Sequence, residues 1–350
     1  NLCNLIFLFW VKNFGNQLSN FPRTFVLALP PPLRQQYADL GNYEESNTIL
    51  LLGDSNVEGS GDAFAEGKYN YSIGHYLNKK GGYNLMQFGL NSSQLLESIF
   101  YYQESINGKH WPLSNKVPRD KRPKKAFLFF YEGNDINDFY RDLNSKKGFY
   151  SRVKINNKAR FFPLVFFLER RFLSPFLDNF RSNLKTYENF SDSFNYLCFK
   201  DDCLEVPPMQ SAAPEFTKKS IVYALDKKVE SISKFKNTNN LDLCLFYIPS
   251  PATVYSSLKT IKISDYGNTY QIFPQGEISS KRNKINSMMI RKYLKSNLSN
   301  LDITFYDLTT FLNKEAKNKY LYGTDDHTHF NSNSMELIAD QILKKDLNCK

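Results

Sequence analysis

The sequence predicts an α/β fold, in which a parallel sheet of about five strands lies between two helical layers as a three-layer α/β/α sandwich. From position 47 onward, short apolar runs alternate with stretches in which apolar residues recur at helical spacing. The run at 126–131, AFLFFY, is apolar throughout, which is typical of a strand covered on both faces. Turn-forming residues follow several of these runs, so a parallel sheet with helical crossovers accounts for the order of the elements.

Five short apolar runs supply the predicted strands. They lie at 49–52, 84–88, 126–131, 241–248 and 303–306. Each run is rich in leucine, isoleucine or aromatic side chains and is bounded by polar or turn-forming residues. Strands separated by helices are expected to pair in parallel, so that their carboxyl ends share one edge of the sheet.

Four helices are predicted between and after the strands. They lie at 69–77, from Ser92 or Ser93 onward, at 217–235 and from about Ser334. Apolar residues recur every three or four positions in these stretches, so one face of each helix can cover the sheet. For the last helix, Asn333 and Glu336 are the predicted capping pair.

The chain divides into a lead-in at 1–46 and an α/β domain at 47–350. The apolar stretch 2–11 is too short to cross a bilayer, which takes about 20 apolar residues. It is interpreted as the remnant of a membrane anchor or signal segment, with a docking segment as the alternative.

Two insertions, at about 140–212 and 252–280, do not fit a minimal sandwich. The first is basic and aromatic, and its expected role is a wall over the site, a groove for an acidic glycan or a membrane-facing patch. An ordinary helical insertion with its phenylalanines packed inward is the alternative. The second is predicted to hold strands at 261–264 and 270–273, joined by a turn at 267–268.

The composition indicates a folded and basic protein. Of its 350 residues, 41% are hydrophobic, which supports a substantial core and excludes global disorder. The net charge of +10 indicates either an anionic partner, such as an acidic glycan, a membrane surface or nucleic acid, or a solvated basic surface. No recognisable nucleic-acid motif accompanies the charge, so a nucleic-acid partner is not expected.

The five cysteines show no metal-binding spacing. Cys198 and Cys203 flank a short polar loop, and a disulfide between them is one hypothesis for an oxidising compartment. Cys244 lies inside a predicted strand and is interpreted as a buried small apolar residue.

Chemically reactive side chains follow the predicted strands. Ser55 comes after the first strand in a Gly-Asp-Ser turn, Gly89 follows the second, and Asn134 lies in a Gly-Asn-Asp turn after the third. Asp326 and His329 follow the fifth strand as Asp-x-x-His. Because the carboxyl ends of parallel strands share one edge, these groups are expected to converge there. Serine, histidine and aspartate together are the groups of a nucleophilic triad.

Other arrangements of the same residue types are less favoured. His327 has threonine, not aspartate, three positions before it. A metal site formed by Glu132, Asp135 and Asp138 would have no histidine or cysteine nearby, so neither a metal nor a cofactor is expected. Asp54 is expected to be structural and to tie its turn together.

The blocks resemble those of the SGNH (GDSL-type) hydrolase family, which is named for an invariant Ser, Gly, Asn and His. Their counterparts are Ser55 in Gly-Asp-Ser, Gly89 in Phe-Gly-Leu-Asn, Asn134 in Glu-Gly-Asn-Asp and His329 in Asp-x-x-His-x-Asn. The resemblance implies a flavodoxin-like arrangement of the sandwich.

The resemblance also implies a role for each residue. Ser55 would attack an acyl carbonyl, His329 would take and return its proton, and Asp326 would hold the other imidazole nitrogen. The backbone N–H groups of Ser55 and Gly89 and the side-chain amide of Asn134 would form the oxyanion hole.

The implied activity is hydrolysis of an O-acyl ester, with an O-acetyl ester preferred, on a small or glycan-linked substrate. The resemblance covers roughly 47–136 and 241–345, and 247–251 is similar to members that act on cell-envelope glycans. An O-acyltransferase using the same residues and a non-catalytic glycan-binding protein are the alternatives. An extracytoplasmic location, with tethering through the N-terminus as an option, is the corresponding expectation.

Overall fold

The apolar runs form strands in the computed structural model, which describes residues 48–59, 71–89, 94–107, 122–136, 195–199, 202–206, 209, 211–256, 258–263, 276–323, 329–345 and 349. The strands are β1 (Thr48–Gly53), β2 (Asn84–Gly89), β3 (Lys125–Tyr131), β4 (Asn195–Phe199), β5 (Asp202–Val206), β6 (Asp242–Ile248), β7 (Thr260–Ile263), β8 (Gly276–Ser279) and β9 (Thr304–Asp307). The five predicted strands correspond to β1, β2, β3, β6 and β9, and each agrees within one residue at either end.

The helices cover both faces of the sheet. They are α1 (Ser55–Glu58), α2 (Ile73–Gly81), α3 (Leu95–Ile106), α4 (Lys219–Asn239), α5 (Pro251–Val254), α6 (Ser280–Ser299), α7 (Thr309–Glu315) and α8 (Ser332–Leu343). Among the described residues, no helix is both long and apolar enough to cross a membrane.

The main sheet has the order β2-β1-β3-β6-β9, and every described pairing within it is parallel. This confirms the predicted α/β sandwich. The chain first crosses from β1 to β2 and then returns past β1 to β3, so the direction of winding reverses at β1 and β3. In such sheets, ligands bind beyond the carboxyl ends of the strands at this switch point.

Two apolar cores lie on opposite faces of the sheet, because successive side chains of a strand point to opposite sides. On β1, Ile49 and Leu51 contact one core, and Leu50 and Leu52 contact the other. The first core also includes apolar residues of α2, α7 and α8, whereas the second includes those of α3, α4 and α6. The sheet is therefore the middle layer of the sandwich.

Helix α6 was not expected from the sequence. Its buried face begins with polar side chains, Asn283, Asn286 and Ser287, and becomes apolar only from Ile290 onward. The hydrophobic periodicity that identifies an amphipathic helix is therefore weak in its first half. Asn283 Nδ2 donates to Thr253 Oγ1 of α5 at 3.0 Å, which shows how a buried polar residue of α6 is accommodated.

The last helix begins at Ser332, close to the predicted start at about Ser334, but its predicted capping pair was wrong. Asn331, not Asn333, is the N-cap of α8, and its Oδ1 accepts the backbone N–H of Ser334 at 3.0 Å. Asn333 lies within the first turn, where its side chain cannot take the capping position. Ser92 and Ser93, predicted to cap α3, lie outside the described residues.

The described parts of the two insertions pack against each other. β4 and β5 form an antiparallel hairpin, and β7 pairs with β8. The predicted strand 270–273 lies outside the described residues. Asn195 Nδ2 donates to the Lys262 carbonyl at 3.0 Å, and Lys262 N–H donates to Asn195 Oδ1 at 2.8 Å. The basic and aromatic part at 140–194, like the lead-in at 1–46, lies outside the described residues.

The cysteines pair differently from the expectation for Cys244. Cys244 is buried on β6, as predicted, but it forms a disulfide with Cys349 and is not a free apolar side chain. The bond spans 105 positions and ties the segment at Cys349 to β6, an inner strand of the sheet. Cys198 and Cys203 are opposite each other in the β4–β5 hairpin, but their side chains lie outside the described residues.

Candidate active site

A tight turn at the end of β1 places Ser55 at the carboxyl ends of the parallel strands. Asp54 is the N-cap of α1, and its Oδ1 accepts the Asn56 backbone N–H at 2.9 Å, so Ser55 becomes the first helical residue. Gly53 is needed where the strand meets the helix, because a Cβ there would overlap the Val57 side chain. Ser55 is 5% exposed at this corner.

Gly89 ends β2 directly beside this turn, in register with Gly53 of β1. A Cβ at position 89 would overlap the backbone nitrogen of Glu58 in α1. Glycine is therefore required for α1 to approach β2, a packing reason that is separate from the expected approach of a substrate carbonyl.

His329 contacts Ser55 directly. Its Nε2 lies 2.6 Å from Ser55 Oγ, although the two residues are 274 positions apart in the chain. The segment that carries the imidazole is fixed on both sides. Gly323 N–H donates to the His329 carbonyl at 3.0 Å, and the next residue, Phe330, donates its N–H to Asn56 Oδ1 at 3.3 Å. The serine and histidine therefore form the hydroxyl–imidazole pair that proton transfer requires.

Asp326 and the competing His327 lie outside the described residues, at 324–328. The assignment of Asp326 as the orienting carboxylate therefore stays a prediction.

Asn134 contacts the same turn from the end of β3. Its Nδ2 donates to Asp54 Oδ2 at 3.0 Å. A side-chain amide nitrogen carries two hydrogens, so the second is left for another acceptor. Among the residues that the structure describes, Asn134 Oδ1 is buried without a hydrogen-bond partner. The amide is thus held by one contact to Asp54.

Asp54 is fully buried, and its environment raises the pKa of its carboxyl group to about 7. Burial is the largest cause because it disfavours the charged form, and the negative charge of Asp135 acts in the same direction. His329 and the hydrogen bonds from Asn56 and Asn134 lower the pKa. A residue expected to be only structural is therefore a carboxyl group that titrates near neutral pH.

Asp135 and Glu132 have internal partners. Asp135 Oδ1 accepts from Lys228 Nζ at 3.0 Å, and Glu132 Oε2 accepts the Ser250 and Thr253 hydroxyls at 2.7 and 2.6 Å. The Glu132 contacts join the end of β3 to the turn after β6. Asp138 lies outside the described residues, and the described ones contain no cluster of three or more histidine, cysteine or acidic residues able to hold a metal.

Sequence reasoning missed Lys228, although the sequence contains a signal for it. Lys228 follows the buried residues Ile221 and Leu225 of α4 and precedes Ile232 on the same helical face. A lysine in an apolar stripe is buried only when a partner compensates its charge.

Two comparisons with known proteins identified no relative of this chain. No protein-family model matches the chain, and no curated protein is significantly similar to it.

Proposed function

We propose that the protein is a serine-dependent hydrolase of O-acyl esters, of the SGNH type, in which Ser55 carries the acyl group. The observation that carries this proposal is the 2.6 Å contact between Ser55 Oγ and His329 Nε2. The position of these residues also supports the proposal. Ser55 follows β1 and Asn134 follows β3, and these are the two strands that flank the switch point.

The proposed reaction uses the contacts of this site in two steps. His329 Nε2 accepts the Ser55 proton as Oγ attacks the acyl carbonyl, and the imidazolium then protonates the departing alcohol. The second step repeats the transfer with water, which releases the acid and restores Ser55. In this proposal Asp326 holds the imidazole Nδ1–H.

The proposed oxyanion hole consists of three donors. They are the backbone N–H groups of Ser55 and Gly89 and the second Nδ2 hydrogen of Asn134, whose first hydrogen goes to Asp54. Because Asp54 fixes the amide before substrate arrives, the donor needs no reorganisation when charge develops on the carbonyl oxygen.

The proposed location is extracytoplasmic. The disulfide between Cys244 and Cys349 supports it, because structural disulfides persist in oxidising compartments. The proposed substrates are small or glycan-linked O-acyl esters. Transfer of the acyl group to a glycan hydroxyl would use the same Ser55 intermediate, and product analysis with an acetyl donor and a glycan acceptor separates transfer from hydrolysis.

Ser55→Ala tests the nucleophile. We expect the variant to lose hydrolysis of a small aryl acetate and covalent labelling by a fluorophosphonate, while Ser231→Ala, a partly buried serine of α4, keeps both. His329→Ala is expected to lose the same two activities, with His75→Ala on α2 as its matched control. Labelling that persists in Ser55→Ala would rule out this serine as the acyl carrier.

A further inference from the structure

Lys228 is a buried cation that contacts Asp135, the residue next to Asn134 of the candidate active site. Its side chain on α4 is fully buried, and so is that of Asp135, its ion-pair partner at 3.0 Å. Lys228 Nζ also donates to Gln94 Oε1 at 2.9 Å and lies 5.6 Å from the centre of the Phe130 ring. Burial of two charges is costly, so this pair needs a reason beyond stability.

The ion pair holds the turn that carries Asn134. Asp135 accepts the backbone N–H of Leu95, at the start of α3, and of Tyr131, at the end of β3, both at 2.7 Å. Lys228 of α4 is the third donor, so α3, β3 and α4 all donate hydrogen bonds to the Asp135 carboxylate. Asn134 is the residue directly before Asp135, so its side-chain direction depends on this anchor.

Asp135 also acts on Asp54 by charge. Among the described residues, the charged or titratable groups on the elements around this turn are Glu132 and Asp135 after β3, His329 before α8, Lys228 on α4, Glu97 on α3 and Glu58 on α1. Asp135 raises the Asp54 pKa, after burial as the main cause, and His329 lowers it. A cation on Asp135 limits the negative potential that reaches Asp54.

We propose that Lys228 is a positioning residue for the acyl-transfer site, holding Asn134 through Asp135 and keeping Asp54 as the carboxylate that receives the Asn134 amide. This inference depends on the proposed function for its catalytic consequence. The hydrogen bonds of Lys228 to Asp135 and Gln94 lead to this turn, so in this proposal it acts through the turn and through charge.

Lys228→Met tests the inference, with Lys227→Met as the matched control. Lys227 is the neighbouring residue on α4, but it is exposed and pairs with Glu230 on the surface. We expect kcat for a small aryl acetate to fall about tenfold to a hundredfold in Lys228→Met with KM nearly unchanged, because an oxyanion donor acts only in the transition state. Lys227→Met is expected to keep wild-type values.

The pH profile separates positioning from a general loss of folding. In this proposal, protonation of Asp54 weakens its hold on the Asn134 amide and so contributes to the acid limb of kcat. Without Lys228, the negative charge of Asp135 is unbalanced, so the pKa of Asp54 and this limb should move to higher pH. A smaller folded fraction would lower kcat at every pH and leave the limb in place. In the double variant Lys228→Met, Asp135→Asn both charges are gone, and the limb should return to lower pH than in Lys228→Met.

Carbon-13 NMR titration of the Asp54 carboxyl group gives a second measurement that needs no activity. If the wild type neither hydrolyses the acetate nor reacts with fluorophosphonate, the proposed function fails, and the titration still tests the action of Lys228 on Asp54. If the wild type is active but Lys228→Met keeps its kcat, its acid limb and the Asp54 titration, the inference is overturned. Should Lys228→Met not fold, Lys228→Gln, which removes the charge but keeps a hydrogen-bond donor, takes its place in the titration, and an unchanged Asp54 titration in that variant would overturn the inference.

Discussion

Asp54 is the buried carboxyl group beside the Ser55–His329 pair, and its replacement by asparagine tests the electrostatics of the site. Its pKa is raised from 3.8 to about 7, so the folded protein holds this proton more tightly than the unfolded chain does. Each pKa unit corresponds to about 1.4 kcal/mol, so the raised pKa corresponds to about 4 kcal/mol in all. The contribution of the protonated Asp54 to the free energy of unfolding is fully present below pH 4, and it is lost as the pH rises to about 7.

Asp54→Asn removes this pH dependence. The asparagine Oδ1 can still accept the Asn56 N–H, but its Nδ2 faces the donor of Asn134, which adds a cost that does not vary with pH. The unfolding free energy of the variant relative to wild type should therefore rise by about 3 kcal/mol between pH 5 and pH 8.

Urea denaturation at several pH values, with the disulfide kept oxidised, measures this difference. Asp242→Asn, at an exposed aspartate that begins β6, is the matched control and should show no comparable trend. A difference between Asp54→Asn and wild type that stays constant from pH 5 to pH 8 would refute the argument that burial raises the pKa of Asp54.

Three further substitutions test the site and the fold. Asn134→Ala should lower kcat for an aryl acetate about a hundredfold or more with KM unchanged, as steady-state kinetics would show, because one oxyanion donor is lost. Gly89→Ala should reduce the unfolding free energy by about 1–3 kcal/mol in urea denaturation, because its Cβ would overlap the backbone of Glu58. Cys349→Ser should reduce it by about 4–5 kcal/mol in the same assay, since the lost disulfide spans 105 positions and the entropy of the unfolded chain rises with that length.

Each of these results has a control. Asn297→Ala, on the partly buried face of α6, should keep wild-type kinetics, and equal losses in both asparagine variants would contradict the role of Asn134. For Cys349→Ser, wild type under reducing conditions should show the same decrease, and a stability unaffected by reduction would show that the disulfide contributes nothing. An unfolding free energy of Gly89→Ala equal to wild type would contradict the close packing of α1 on β2.

The strands of the main sheet could be predicted because both of their faces are buried. An apolar run such as AFLFFY must be covered on all sides in a folded protein, and β3 indeed lies between two apolar cores. The convergence of Ser55 and His329 could be anticipated for a related reason. Both follow parallel strands, and such strands place their carboxyl ends along one edge.

Helix α6 and the cap of α8 could not be assigned in the same way. Asn283 is buried in α6 because Thr253 is within hydrogen-bonding distance, and a partner so far along the chain leaves no local pattern. Asn331 and Asn333 are chemically identical as caps, and only the path of the chain before α8 selects the first.

The α/β class, the strands of the main sheet and the convergence of Ser55 and His329 at one edge of it could all be read from the sequence, because burial along each strand and the order of the strands control these features. The partners of the buried polar groups became known only from the folded chain. It joined Cys244 to Cys349, Lys228 to Asp135 and Asn134 to Asp54. These contacts depend on distances between side chains far apart in the chain, and the composition of either segment alone does not specify them.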